Sequence, residues 1–391
     1  MLRLAVAAAI LTGAGFAAAS TAPADASQGP AIPPLPSRAQ LVAERGRLLQ
    51  LAEQGIRDAK THWWNAKLGW YNEDLDENFP PEPLLMLWSA FQLFEAVDAV
   101  AIADPTYANV TQAAWFANMA ERYYNPTLKP VGAYAYYMGR RDSEMPYYFD
   151  DNGWFGIAFL DAFQATHHRR YLVDAEKGFR FLAVAGWAQD GGGFWWNTKH
   201  PYTTSEPLAA AIFIGAKLYE ATRQATYLRD AERWVAWANA DSWNRSRGLY
   251  QKRPGDDTVM SYVEGLMAAG NAELCRITGR RSYCARAEQV ATNSLVAFSA
   301  ALHWAPQYDA VDLRGVLDLY GIDHRAPWYG LALANAERAA TNARDGQGLF
   351  ELDWDGQPID LGQEVHPGQL GLHAATISLF AWTAAAPLPG S

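Results

Sequence analysis

Little in this sequence can hold a metal, a phosphate or a nucleic acid. The 391 residues contain only two cysteines, Cys275 and Cys284, and no CxxC motif, so thiolates cannot build a metal site. No phosphate-cradling glycine loop, no Gly-x-Ser-x-Gly and no His-Glu-x-x-His occurs, and no cofactor or metal is expected. Asp and Glu outnumber Lys and Arg, 42 to 32, for a net charge of −10. Without a dense basic run, that balance excludes a nucleic-acid partner, whose phosphates are met by Lys and Arg. Strand-like alternation is scarce. Beyond the N-terminal segment no stretch has 18 uncharged apolar residues, so no membrane span is expected.

The N-terminus reads as an export signal. Arg3 supplies the positive start, Leu4 to Phe16 a short apolar run, and Ala24-Asp25-Ala26 a small-x-small cleavage site. Residues 1–26 are therefore expected to be a signal peptide. A leader over residues 27–36 carries Pro30, Pro33, Pro34 and Pro36. The rest, 37–391, is expected to form a single domain of a secreted, extracellular, monomeric protein. The Ala- and Arg-rich style points to a bacterium. In an exported protein Cys275 and Cys284 can staple the helical hairpin turn between them, although two unpaired thiols fit the sequence as well.

What the chain has in abundance is aromatic: 16 Trp, 19 Tyr and 16 Phe. It also repeats. Tyr171-Leu172-x-x-Ala175, Tyr227-Leu228-x-x-Ala231 and Tyr283-Cys284-x-x-Ala287 recur 56 residues apart, with a weaker copy at Tyr107-Ala108. Each copy opens an amphipathic helical pattern, and each full copy is preceded by a turn and a more apolar helix. The register predicts six apolar helices near Trp88, Trp154, Leu208, Tyr262, Leu313 and Gly371. Six amphipathic ones fall near Arg38, Tyr107, Tyr171, Tyr227, Tyr283 and Pro327. Two helices per repeat, one buried all round and one amphipathic, suit two concentric rings, an all-α (α/α)6 barrel. An open solenoid is the alternative, but the long, aromatic, Gly-rich loops entering the inner helices look like an active-site rim. Short runs at Gly193–Trp196 and Gly348–Glu351 are expected to form small hairpins at the mouth.

If the inner helices share one direction, the residues at their N-terminal ends converge. These include Asp150, Asp151 and Asn152; Thr203, Thr204, Ser205 and Glu206; Asp256, Asp257 and Tyr262; Asp309 and Asp312; and Glu364, His366 and Gln369. Acids and amides among aromatic rings suit a carbohydrate cleft. Within this set, Tyr147-Tyr148-Phe149-Asp150-Asp151-Asn152-Gly153-Trp154 stands out. Adjacent carboxylates between aromatic residues repel each other and resist ionising together. Such a pair serves either as the two acids of a glycosidase or as first-turn charges on a helix N-terminus. The turn His167-His168-Arg169-Arg170 reads as a solvated loop far from this mouth.

Asp150-Asp151-Asn152-Gly153-Trp154, followed by Tyr171-Leu172-x-x-Ala175 and Gly192-Gly193-Phe194-Trp195-Trp196, resembles glycoside hydrolase family 76, the endo-α-1,6-mannanase family. The resemblance runs from about Trp88 to Phe380. It implies an (α/α)6 fold and endo-acting, retaining hydrolysis of α-1,6-linked mannan. By carry-over, Asp150 is the nucleophile and Asp151 the general acid/base. Asn152, Trp154, Trp195, Trp196, Glu206, Asp256, Asp257, Tyr262 and Glu264 are the expected substrate-binding residues. Two departures stand out: Glu206 where the family tends to have Asn, and Tyr262-Val263-Glu264-Gly265 where it tends to have Tyr-Asn-Gln-Gly. Other readings are an unsaturated-uronyl hydrolase, a sugar 2-epimerase, or a catalytically silent glycan-binding protein. An epimerase needs paired lumenal histidines, and His303, His324, His366 and His373 fall in no repeated motif.

Overall fold

The computed structural model describes residues 32–76, 84–142, 144–362 and 365–390. The signal segment, the first half of the leader and Glu364 lie outside the described residues.

Six helices form an inner ring: α2 (Leu87–Ala103), α4 (Phe149–Thr166), α6 (Ser205–Thr222), α8 (Ser261–Thr278), α10 (Pro306–Asp323) and α12 (Leu370–Ala385). Each packs on the next, and α12 packs on α2, so the ring closes. The outer ring is α1 (Arg38–His62), α3 (Tyr107–Ala120), α5 (Arg169–Phe181), α7 (Ala225–Trp237), α9 (Arg281–Phe298) and α11 (Ala326–Asn342). The chain is an (α/α)6 barrel and not an open solenoid, because closure leaves no exposed inner face. The inner helices are apolar almost all round, as α4 shows by burying fifteen of its residues between Phe149 and Thr166. Outer helices bury one stripe, on α5 Tyr171, Leu172, Ala175 and Phe179.

The repeat recurs as one turn. His167, Arg223 and Gly279, 56 residues apart, each end an inner helix in the left-handed region, with φ of 58°, 61° and 70°. Before each stands a threonine that works both ways. Thr166, Thr222 and Thr278 donate to the carbonyls of Ala162, Leu218 and Leu274 at 2.7, 2.7 and 2.5 Å. They accept from the N–H groups of His168, Gln224 and Arg280 at 3.2, 3.2 and 3.3 Å. This settles orphan helix-end groups and reverses the chain onto the outer helix. Two inner helices meet backbone to backbone: a Cβ on Gly315 of α10 would lie 2.3 Å from the Gly265 carbonyl of α8. Glycine at both positions is what permits that approach.

Outer helices return the chain to one end of the barrel through short hairpins. These are β1–β2 (Trp64–Asn65, Trp70–Tyr71), β3–β4 (Tyr124–Asn125, Ala133–Tyr134), β5–β6 (Phe194–Trp195, Thr203–Thr204) and β7–β8 (Trp243–Asn244, Leu249–Tyr250), all antiparallel. The expected hairpin at Gly193–Trp196 is present as β5. Gly348–Glu351 forms no strand; Leu349 and Phe350 are buried, and an isolated bridge forms further on, Leu352 to Pro358. Burial against α12 claims that segment before pairing does.

Cys275 and Cys284 are disulfide-bonded across the α8–α9 turn, with Cα atoms 5.1 Å apart. Closing so short a loop contributes about 2–3 kcal/mol by constraining the unfolded chain. Reduction is therefore expected to lower the unfolding midpoint without loss of helical circular dichroism at ambient temperature. A helix signal that collapses on reduction would contradict this.

Candidate active site

The helix dipoles of six parallel inner helices point their positive ends at one mouth. Position within the first turn then decides what each side chain does. On four of the inner helices the second residue lies at this mouth: Trp88 on α2, Asp150 on α4, Glu206 on α6 and Tyr262 on α8. Asp150, Glu206 and Tyr262 are 56 residues apart, so they are one repeat position with three chemistries. The fourth residue points back into the wall and clamps the preceding loop. Asn152 accepts the Tyr134 N–H at 2.7 Å and Glu264 accepts the Tyr250 N–H at 2.9 Å. Asp309 accepts the Trp304 N–H at 2.9 Å, and His373 Nδ1 accepts the Phe350 N–H at 3.1 Å.

This register corrects part of the expected substrate-binding set. Asn152 and Glu264 are completely buried, and each holds a hairpin strand. Asn152 also donates to the carbonyls of Tyr134 and Tyr148 at 3.0 and 2.8 Å. Both residues position the cleft wall and present no surface to a substrate. The amide-to-acid departure at Glu264 is thus a change in a clamp. Burial pushes its carboxyl well up, and Asp312 adds repulsion. A protonated Glu264 keeps a free oxygen to accept the Tyr250 N–H. Asp309 and Asp312 are buried inside α10 and do not precede it. Asp256 and Asp257 order the rim loop after β8: Asp256 accepts the Thr258 N–H at 3.2 Å and lies 3.7 Å from Arg253, and Asp257 faces Arg247 at 4.0 Å.

Asp150 and Asp151 are the second and third residues of α4, and Tyr148 occupies the cap with no side-chain hydrogen bond. Neither aspartate caps the helix. Asp150 accepts from the Asp151 N–H at 3.0 Å and from the Trp196 indole N–H at 3.1 Å. Burial, then the charges of Asp151 and Glu206, push its carboxyl well up, and those two donors offset only part of that rise. Burial raises Asp151 to about 7, and among the described residues no group donates to its carboxylate. Glu206 is held by the Thr204 hydroxyl and lies 3.5 Å from the Tyr262 hydroxyl. Burial raises its carboxyl against the pull of Thr204 and Lys252.

Aromatic rings surround these acids. Trp154 and Tyr262 are 6.1 Å apart between ring centres, Trp88 and Trp154 5.5 Å, and Tyr308 stacks on Tyr262 at 5.1 Å and on Trp304 at 4.3 Å. Trp154 is almost fully buried beneath the exposed Trp304 and the half-buried Trp88 and Tyr308. On the other side Tyr148 packs against Trp196 at 5.1 Å, and Trp196 stacks on Tyr202 at 5.3 Å. Sequence reasoning missed Trp304, Tyr308 and Tyr202. Tyr308 was within reach of the helix-start rule, being the third residue of α10, whereas Trp304 and Tyr202 sit on loops. The histidines do not form a catalytic pair. His373 lies in the core, its Nε2 2.9 Å from the Gly55 carbonyl, His366 pairs with Asp74 at 2.9 Å, and His324 ends α10. The turn at His167–Arg170 is exposed at the opposite end of α4.

The model of Glycosyl hydrolase family 76 matches residues 51–308, well over half of the 391. A mannan endo-1,6-α-mannosidase of Saccharomyces cerevisiae is 27% identical over 172 residues, an alignment spanning 38% of this chain and 38% of that protein. A family 76 α-mannanase of Bacteroides thetaiotaomicron superposes with a TM-score of 0.75 at 19% identity, covering 88% of this chain and 98% of that one. An inactive variant of a Salegentibacter α-1,6-mannanase, with two consecutive aspartates changed to asparagine and α-1,6-mannotriose bound, superposes with a TM-score of 0.70 at 15% identity. That match covers 86% of this chain and 99% of the other.

Proposed function

We propose that this chain, which belongs to glycosyl hydrolase family 76 and is therefore a glycoside hydrolase, cleaves α-1,6-linked mannan with retention of configuration. The observation that carries the mechanism is the unequal treatment of two adjacent acids. Donors to a carboxylate favour its charged form, and burial without donors favours the neutral form. Burial and mutual repulsion raise both carboxyls, so the pair shares one proton; the two donors to Asp150 favour the charge there, as nucleophile, and Asp151, with none, carries the proton. Asp151 then protonates the leaving oxygen, and Asp150 forms a glycosyl–enzyme bond. Water deprotonated by Asp151 breaks that bond in the second step. Glu206 adds negative charge that resists ionisation of the pair and favours the developing oxocarbenium ion. Trp88, Tyr308 and Trp304 offer ring faces to the sugars.

The similarity to a mannan endo-1,6-α-mannosidase supports internal cleavage of the polymer. On the same reading residues 1–26 export the protein, and 37–391 act as one catalytic domain on mannan outside the cell. Incubation with linear α-1,6-mannan is expected to release reducing oligomers. Proton NMR of the first products should show the α-anomer before mutarotation. Initial formation of the β-anomer would exclude retention, and no turnover would favour a silent glycan binder.

A further inference from the structure

Beside the catalytic wall lies a groove that the reaction at Asp150 and Asp151 does not use. It is bounded by the glycine loop at Gly191–Gly193, by the β5–β6 hairpin and by the loop after β8, and encloses about 400 Å³. Its lining includes Trp195, Tyr202, Thr203, Asp190 and Arg253. Three features make it a built surface. Tyr202 lies flat on Trp196, with ring planes 12° apart, and Trp196 donates to Asp150, so groove and catalytic wall share one rigid layer. Trp195 is fixed in the same way on His200, at 4.8 Å and 10°. The glycine loop is pinned by the Trp237 indole, which donates to the Gly191 carbonyl at 3.1 Å. A Cβ on Gly192 would come within 2.4 Å of that indole nitrogen, so the loop edge stays bare peptide.

The chemistry of the lining identifies its occupant. Asp190 and Asp256 are matched in charge by Arg253 and Lys252, which both lie over the Tyr202 ring. A guanidinium, a carboxylate and a threonine hydroxyl beside the Trp195 ring match a ligand with an apolar C–H face and a rim of hydroxyls, carrying no net charge. We propose that this groove is an outlying subsite for a further neutral hexosyl unit of the glycan held at Asp150 and Asp151. This rests on the mannan reading above. The β5–β6 hairpin delivers both Trp196 to the catalytic acid and Trp195 to the groove, so one chain can occupy both.

Turnover of α-1,6-linked mannose oligomers of increasing length tests the subsite. In the unmodified enzyme kcat/KM should rise from the disaccharide to the hexasaccharide. In Trp195→Ala and Arg253→Ala the ratio of the two rates should fall on the order of tenfold, as for one lost charge-assisted contact. A ratio that does not rise with length in the unmodified enzyme overturns the subsite. So do variants that slow both substrates equally, as a purely structural role would. If no mannose oligomer is turned over, the substrate reading has failed instead. The groove is then judged by calorimetry of the hexasaccharide on the Asp150→Asn/Asp151→Asn protein. Binding weakened by Arg253→Ala supports it, and unchanged binding overturns it.

Discussion

Asp150→Asn and Asp151→Asn are each expected to fold normally and to lose most activity on mannan. Proton transfer by a positioned acid is typically worth about 10²–10⁴-fold, and a missing nucleophile costs at least that. The two variants should separate on an activated glycoside whose leaving group needs no proton. Asp151→Asn should form the glycosyl–enzyme and stall, and added azide should release a glycosyl azide of retained configuration. Asp150→Asn should form no such intermediate. The pH profile supplies an independent check. Asp151 must be protonated for the first step, and burial holds it at about 7. Activity should therefore fall as pH rises through about 7. Asp151→Asn should remove that alkaline limb when assayed on the activated substrate. If both residues served only the helix start, each substitution would cost about 0.5–2 kcal/mol of stability with turnover intact. Near-normal turnover by a fully folded variant removes that residue from the mechanism.

The second large effect lies deeper in the lumen. Arg314 of α10 is almost completely buried and reaches Asp161 on α4 at 3.0 Å, Asp318 at 3.1 Å and Glu95 on α2 at 3.5 Å. Its guanidinium also lies on the Trp382 ring of α12, 3.1 Å from the ring centre. One cation thus ties together four of the six inner helices. Removing one partner of a buried ion cluster leaves uncompensated charge and costs about 3–5 kcal/mol. Arg314→Met is expected to lower the free energy of unfolding by that amount without moving Asp150 and Asp151. Asp98 provides the opposite case. It is fully buried, both its carboxylate oxygens lack a hydrogen-bond partner among the described residues, and burial with repulsion from Asp161 and Glu95 raises its pKa strongly. A carboxyl whose folded pKa exceeds its unfolded value costs stability as pH rises from the lower value to the upper. Asp98→Asn should therefore be neutral or stabilising at neutral pH and should remove that part of the pH dependence of stability. Arg314→Met equal in stability to the parent, or Asp98→Asn as damaging as Arg314→Met, would refute this account.

Twelve helices in six pairs were legible because two local periods coincide. A buried helix and an amphipathic helix carry different apolar patterns, and the Tyr-Leu-x-x-Ala signature marks where one gives way to the other. The inner-ring starts near Trp88, Trp154, Leu208, Tyr262, Leu313 and Gly371 correspond to the six inner helices. The disulfide was legible only as one of two options, because spacing alone does not say whether two thiols point at each other.

The acid pair was visible in the chain itself, since two carboxylates between aromatic residues are costly wherever they fold. Which polar residues near the helix starts face the sugar was not visible. Asp150 and Asn152 differ by two positions, or about 200° around the helix, so one faces the mouth and the other the wall. Adding two repeats to Asn152 reaches Glu264, and that shared register would have marked Glu264 as a clamp had the wall been known. Sequence by itself determined the helix pairs, the repeat and the place of the paired aspartates, because each is written in residues near one another along the chain. Tertiary structure alone decided that Asp150 receives the Trp196 N–H, that Arg314 gathers acids from three helices, and that Tyr202 and Arg253 wall one groove. Those contacts join segments dozens to hundreds of residues apart, and only closure of the ring sets the distances between them.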